Sequence, residues 1–207
     1  KLSRTAHTTW TLTDVDFTNG PFMDVNTTAT TLTPASASVG TGVDITASAI
    51  TGINGGVGWL ATDVGRQIYF NSGYATITAR TSATVAVATV TTAFTNANAI
   101  AAWQLGSFSD TTGHPSCVTF FEQRLVFAGT TDQPQTIFFS KSGDYENMDE
   151  NIGGTVADDD AMVYTIASNQ VNAIRFMTAT RTLIIGTAGG EFTVSGGGTD
   201  SAVTPTN

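Results

Sequence analysis

Between residues 26 and 105 apolar and polar side chains alternate with a period of two almost throughout, and the only charges are Asp44, Asp63, Arg66 and Arg80. Successive side chains of an extended strand point to opposite faces, whereas an amphipathic helix repeats its apolar residues at three and four. The alternation therefore predicts half-buried strands, at residues 28–33, 43–47, 67–70, 74–78 and 84–90. Asn71-Ser72-Gly73, between two of these runs, predicts a tight hairpin turn. Five or six short strands in such a stretch predict a compact barrel or sandwich. An Ala-rich run at residues 96–102 predicts a single helical turn.

Composition extends the same reading to the whole chain. Thr occurs 39 times and Gly 21 times in 207 residues. Thr and Val are stiff at χ1 and fit pleated surfaces better than helices, while frequent glycines punctuate short strands. The expected fold class is all-β.

Charge divides the chain into three parts. Residues 1–25 carry two alternating runs, Trp10-Thr11-Leu12-Thr13 and Val15-Asp16-Phe17, and end at the turn signal Asn19-Gly20-Pro21. Residues 26–105 have no net charge. Residues 106–207 hold most of the Phe and most of the acids. These bounds define the expected organisation: a Thr-rich β domain, 26–105, inserted between two segments of another sheet structure. Lys1 is not an initiator Met and the C-terminal residues have no recognisable ending, so the chain is expected to be a piece of a longer polypeptide.

The last part contains an internal repeat. Leu125-Val126-Phe127-Ala128-Gly129-Thr130 aligns with Thr182-Leu183-Ile184-Ile185-Gly186-Thr187. The first run leads to Thr136-Ile137-Phe138-Phe139-Ser140, the second to Glu191-Phe192-Thr193-Val194-Ser195. Each unit reads as an antiparallel hairpin whose apolar run is long enough to be buried on both faces. Hairpins recurring at such a spacing predict β-propeller-like sheets, here in part only. Arg124 and Arg181 precede the two units and Arg175 lies between them.

Several function classes are disfavoured by counts alone. The net charge is −9, from 17 acidic and 8 basic residues, which disfavours a surface built to grip phosphates. No apolar run approaches the ~20 residues of a membrane-spanning helix. The single cysteine, Cys117, excludes an internal disulfide, and the two histidines, His7 and His114, are far apart in sequence. Cys117 and His114 lack a third member and an oxyanion motif, so a small buried cysteine is expected. Gly196-Gly197-Gly198 and Thr187-Ala188-Gly189-Gly190 lack the Lys-Ser/Thr and helix of a phosphate loop. Glu122 and Glu191 are candidate acids for glycan hydrolysis, but no motif joins them.

The densest acidic feature runs from Asp144 through Glu146, Asp149 and Glu150 to Asp158-Asp159-Asp160. A calcium loop is one reading, although the D-D-D run lacks the alternating spacing such loops use. A solvated loop, or one facing a basic patch on a neighbouring subunit, is the favoured alternative. Arg124, Arg175, Arg181, Asp158, Asp159 and Asp160 are accordingly the candidate inter-subunit contacts, with an Arg pairing bidentately to a carboxylate. No catalytic, cofactor-binding or metal-binding residue is expected.

One set of motifs resembles a known family. It comprises Gly113-His114-Pro115, Arg124-Leu125-Val126-Phe127-Ala128-Gly129-Thr130, the strand ending at Ser140, Gly143-Asp144-Tyr145-Glu146-Asn147, Asp158-Asp159-Asp160-Ala161 and Val171-Asn172-Ala173-Ile174. Trp10 to Pro21 and the Asp63-Val64-Gly65-Arg66 step belong to the same pattern. Together they resemble the tail tubular or nozzle-like structural proteins of short-tailed bacteriophages. The middle stretch also resembles a small β domain named after the first catalytic-cysteine half-domain of ubiquitin-activating enzymes, without any cysteine to carry chemistry. The resemblance implies a propeller platform with an inserted β domain, in a ring of identical subunits, six-fold in the family. It further implies a place in the virion tail, contacts to other tail or adaptor proteins, and DNA only as passing cargo. The alternative is a receptor- or glycan-binding module, which would expose Trp59, Tyr69, Tyr74 or Trp103 as a stacking platform; a structural subunit would bury them.

Overall fold

The computed structural model describes residues 1–167, 171–197 and 201–206. The described residues form an all-β structure of antiparallel sheets, with two short 3₁₀ turns at Asn54–Gly56 and Ala61–Asp63. No described helix is long and apolar enough to cross a membrane.

The chain opens with a two-stranded hairpin, β1 (Leu2–Ala6) and β2 (Thr9–Leu12). Nearly all of its side chains are exposed. The second alternating run expected nearby, residues 15–17, makes no strand. Its backbone is taken up instead by the neighbouring sheet, where Gln67 Nε2 donates to the Phe17 carbonyl and Gln67 Oε1 accepts from Gly20 N.

The Thr-rich stretch builds one six-stranded sheet from β3 (Leu32–Pro34), β4 (Gly40–Ala47), β5 (Gln67–Phe70), β6 (Gly73–Arg80), β7 (Val85–Thr92) and β8 (Trp103–Leu105). Its order is β3-β4-β7-β6-β5-β8. Alternation sets which face is buried: Val43, Ile45 and Ala47 of β4 point inward with Ala86, Ala88 and Val90 of β7, while Asp44 and Thr46 point out. The sheet curls over this core as a half-barrel, with Trp59, Phe70 and Trp103 filling its interior. Asn71 and Ser72 both adopt positive φ between β5 and β6, the two-residue turn whose twist suits a hairpin.

Two local expectations fail in this sheet, for one physical reason. The strand expected at 28–33 is reduced to Leu32–Pro34, because Asn26 Nδ2 occupies the carbonyls of Thr28, Thr30 and Ala101. The helical turn expected at 96–102 is absent. There Asn96 Oδ1 accepts from Asn98 N, its carbonyl accepts from Asn71 Nδ2, and Ile100 bridges Leu32. In both segments asparagine side chains bond the backbone locally and compete with regular structure.

The remaining strands form two sheets. β9 (Cys117–Phe121), β10 (Arg124–Ala128), β11 (Thr136–Phe139) and β12 (Met162–Thr165) make a four-stranded meander. β13 (Ile174–Ala179), β14 (Leu183–Thr187) and β15 (Glu191–Val194) make a three-stranded one. The two repeat units thus fold as the hairpins β10–β11 and β14–β15. Val126, Ala128, Ile137 and Phe139 pack against Ile174, Leu183 and Ile185 from the other sheet. The opposite face of β10 and β11 meets Phe17 and Phe108, with Phe108 and Phe138 edge-to-face at 5.0 Å. Every residue of β11 is therefore buried. In β15 residues alternate between exposed and half-buried, so burial on both faces holds for the first unit only.

The ingoing and outgoing segments of the six-stranded sheet run side by side. Met23 N donates to Leu105 O and Asn26 N to Trp103 O, both at 2.8 Å, and Ser107 N donates to Pro21 O at 2.8 Å.

Candidate functional site

The tight β9–β10 turn, with Glu122 and Gln123 both at positive φ, delivers Arg124 into the interior. The guanidinium meets carbonyls there rather than carboxylates. Nη1 donates to Ser140 O at 2.7 Å and Asp160 O at 2.6 Å, and Nη2 to Asp158 O at 2.6 Å. A longer contact at 3.4 Å reaches Asp159 O. Burial pulls the Arg124 pKa below its ordinary value, partly offset by Asp159, Glu122 and Asp160. Three segments distant in sequence, at residues 124, 140 and 158–160, are tied at this one side chain.

Asp160 is also buried. Its Oδ1 accepts from Lys141 Nζ at 2.7 Å and its Oδ2 from Ala157 N at 2.7 Å. Desolvation opposes ionisation of this carboxyl, but Lys141 and the Ala157 N–H outweigh it and hold the pKa below the usual aspartate range. The same bond, stronger than the desolvation of the ammonium, raises the Lys141 pKa. Ser140 completes the joint, accepting from Leu125 N and donating to Lys141 O, both at 2.9 Å.

This geometry corrects the expected inter-subunit contacts. Arg124 and Asp160 are buried and bonded within the chain, so neither offers a surface to a neighbour. Asp158 and Asp159 remain exposed, with Asp158 Oδ1 accepting from Thr206 Oγ1 at 2.7 Å. Arg175 lies exposed on β13, and Arg181 is exposed in the turn before β14. The sequence equivalence of Arg124 and Arg181 does not survive, because one is core and the other surface. Among the described residues, no three His, Cys, Asp or Glu side chains gather as a metal site would require.

A second polar cluster joins the six-stranded sheet to the loop after β11. Tyr74 donates its hydroxyl to Asp149 Oδ1 and Asn19 Nδ2 donates to Asp149 Oδ2, both at 3.2 Å. Tyr69 donates to Ile152 O at 2.8 Å. The two rings stand 5.0 Å apart and each lies 5.8 Å from Phe22. Desolvation, with Asp149 and Asp24 adding to it, pushes the Glu150 carboxyl up to about 7. Burial raises the Tyr69 hydroxyl pKa, opposed by a hydrogen bond with Ser72, and raises that of Tyr74 strongly, with Asp149 contributing to both.

A third joint lies at Asp63-Val64-Gly65-Arg66. Gly65 takes φ +90°, turning the chain so that Arg66 folds back over Asp63. Asp63 Oδ2 accepts from Leu60 N at 2.8 Å and Asn54 Nδ2 at 2.7 Å. Arg66 Nε donates to Gly106 O at 2.8 Å, linking this turn to the outgoing segment. Burial lowers the Arg66 pKa, and Asp63 opposes that shift.

The enzyme candidates do not converge. Glu122 accepts from Val203 N at 2.7 Å, and Glu191 is exposed on β15. His114 bonds Asp110 at 3.1 Å, and Cys117 is half-buried on β9 rather than fully buried. Gly198, the end of the glycine triplet, lies outside the described residues. Trp59 and Trp103 are core residues, and Trp103 Nε1 donates to Thr30 O at 2.9 Å. With Tyr69 and Tyr74 half-buried against Phe22, none of the four forms an exposed stacking platform.

The sequence reading missed the exposed apolar side chains. Leu2, Trp10 and Leu12 of the first hairpin stand in water, as do Val118 and Phe120 of β9. Period-two alternation shows that a face is apolar; it carries no mark of whether anything covers that face.

No protein-family model matches the chain, and no match to a curated protein was found.

Proposed function

We propose that this chain is a structural subunit of a bacteriophage tail, part of a homo-oligomeric tube or nozzle through which DNA passes. One observation carries the reading. The separate motifs that resemble the tail proteins interlock with one another: Arg124, Ser140, Lys141 and the Asp158–Asp160 turn form one buried joint. Motifs of an enzyme or receptor would converge on a cleft, whereas these converge on a carbonyl-capped turn. Burial of Trp59 and Trp103 favours the same reading over a glycan-binding module.

A conduit wall must be stiff and must not hold its cargo. Stacked antiparallel sheets joined by buried polar bonds supply stiffness. Net charge −9 gives a surface that repels phosphate. In this reading the partners are identical subunits, in a six-fold ring, and neighbouring tail or adaptor proteins, and the location is the virion tail. Native mass spectrometry with negative-stain electron microscopy tests it. Annular particles of one subunit type are expected, and a strictly monomeric chain that binds polysaccharide would overturn it.

A further inference from the structure

We infer that the cleft between the six-stranded sheet and the loops at Thr111 and Asp132 binds a small uncharged polyhydroxylated ligand, the size of one sugar ring. Its hydroxyls accept from Arg66 and donate to Asp24 and Asp132. The inference goes beyond the structural-subunit reading and holds for a monomer or a ring alike.

A count of donors points to the site. A guanidinium carries five N–H groups and no acceptor. In Arg66 the Nε–H goes to Gly106 O at 2.8 Å, and the two Nη1 hydrogens go to Asn54 Oδ1 at 2.8 Å and Asp63 Oδ1 at 3.1 Å. One Nη2 hydrogen faces Met23 Sδ at 3.0 Å. The fifth, also on Nη2, has no acceptor among the described residues. Arg66 is only 1% exposed, and a buried donor without a partner is costly. Arg66 and Met23 both line a cleft of about 380 Å³, through which an acceptor can enter.

The rest of the cleft is apolar wall and acidic rim. Leu60, Trp103 and Leu105 form the wall, and Asp24 and Asp132 stand exposed at the rim. Neither carboxylate has a hydrogen-bond or ion-pair partner among the described residues. Burial lowers the Arg66 pKa, and Asp132 stands near enough to join Asp63 in opposing that shift. The side-chain amides of Asn26 and Asn54, also on the cleft, are already bonded within the chain.

These groups select the ligand. An anion would meet three carboxylates, Asp24, Asp63 and Asp132, against one guanidinium, a net charge of −2 (1 − 3). An ammonium has no lone pair to offer the Arg66 N–H. A hydroxyl both accepts and donates, so a ligand with several hydroxyls answers the guanidinium and the carboxylates together. The C–H face of a sugar ring suits the apolar wall, and the volume falls among small-ligand sites of ~300–1,000 Å³. Recognition of this kind needs no exposed aromatic platform.

Side-chain NMR of the labelled chain tests the assignment, with glucose, galactose, rhamnose and N-acetylglucosamine as probes. At least one sugar is expected to shift the Arg66 guanidinium resonances and to leave those of Arg124, which lies in another joint, unchanged. Asp24→Asn and Asp132→Asn alter exposed side chains, so both variants are expected to fold, and each should weaken that sugar about tenfold. No shift with any of the four sugars overturns the inference. Undiminished binding in a variant overturns the role assigned to that carboxylate. A larger response to glutamate or to arginine, added as charged competitors, overturns the uncharged class. Ring assembly is read separately by mass: a chain that forms rings and ignores all four sugars loses this inference alone, and a monomer that binds one of them loses the subunit reading alone.

Discussion

Arg66 Nη1 lies 3.1 Å from Asp63 Oδ1, and neither side chain reaches solvent. The pair is held by further bonds to Asn54, Leu60 and Gly106, so its charges are compensated from several sides. Removing one partner leaves the other charge buried and unpaired. Asp63→Ala is expected to cost about 3–5 kcal/mol in urea unfolding. The double variant Asp63→Leu with Arg66→Met is expected to cost less than Asp63→Ala alone. A loss below about 1 kcal/mol for Asp63→Ala would show that water reaches the pair.

The carbonyl fan around Arg124 makes an unusual set of expectations. Arg124→Lys keeps the charge but loses the fork that reaches Ser140, Asp158 and Asp160 together, and should cost about 2–3 kcal/mol. Asp158→Asn and Asp159→Asn keep those carbonyls, and each should change stability by less than about 0.5 kcal/mol. If instead the asparagine variants were as damaging as Arg124→Lys, the joint would be carboxylate-based. Chemical denaturation of the three variants distinguishes the cases.

Glu150 sets a pH dependence near neutrality. Its folded carboxyl is raised from 4.5 to about 7 by desolvation, with Asp149 and Asp24 adding to the shift. The folded state therefore binds the proton more tightly than the unfolded state. That contribution is fully present below pH 4.5 and is lost as pH rises through about 7. Its size is about 3 kcal/mol. Urea midpoints for the chain should fall between pH 5 and 8, and Glu150→Gln should flatten that slope. Asp160, whose carboxyl is depressed, acts in the opposite sense and only in acid.

Phe138 is fully buried on the face of β11 turned away from the three-stranded sheet, against Phe108. Phe138→Ala should cost about 3–5 kcal/mol by calorimetry. Phe120→Ala, two strands away on the same face at the exposed margin, should change monomer stability by about 0.5 kcal/mol or less. The contrast tests whether the cover provided by Phe17 and Phe108 ends where the structure places it.

The fold class and most strand positions were legible because alternation survives wherever one face is buried. The strand at Gln67–Phe70 and the turn at Asn71-Ser72 lie where the pattern put them. Residues 15–17 alternate equally well yet make no strand, since the Phe17 carbonyl is claimed by a side chain 50 residues on. The acidic run was visible, but its role was not. Arg124 recognises its backbone rather than its carboxylates, and composition says nothing of carbonyl direction. Likewise Glu150 and Tyr74 become neighbours only through the junction of two sheets, a relation with no sequence spacing to read.

The six-stranded sheet departs from the flanking structure and comes home through a single doorway, where residues 21–26 run beside residues 103–107. A segment that enters and leaves at one place can be lengthened or trimmed at its outer turns while the frame keeps its shape, whereas Gln67, Tyr69 and Tyr74 bond the frame directly and are constrained by it. Variation among descendants of this chain should therefore accumulate inside the loop of residues 27–102, and the frame should change slowly around it.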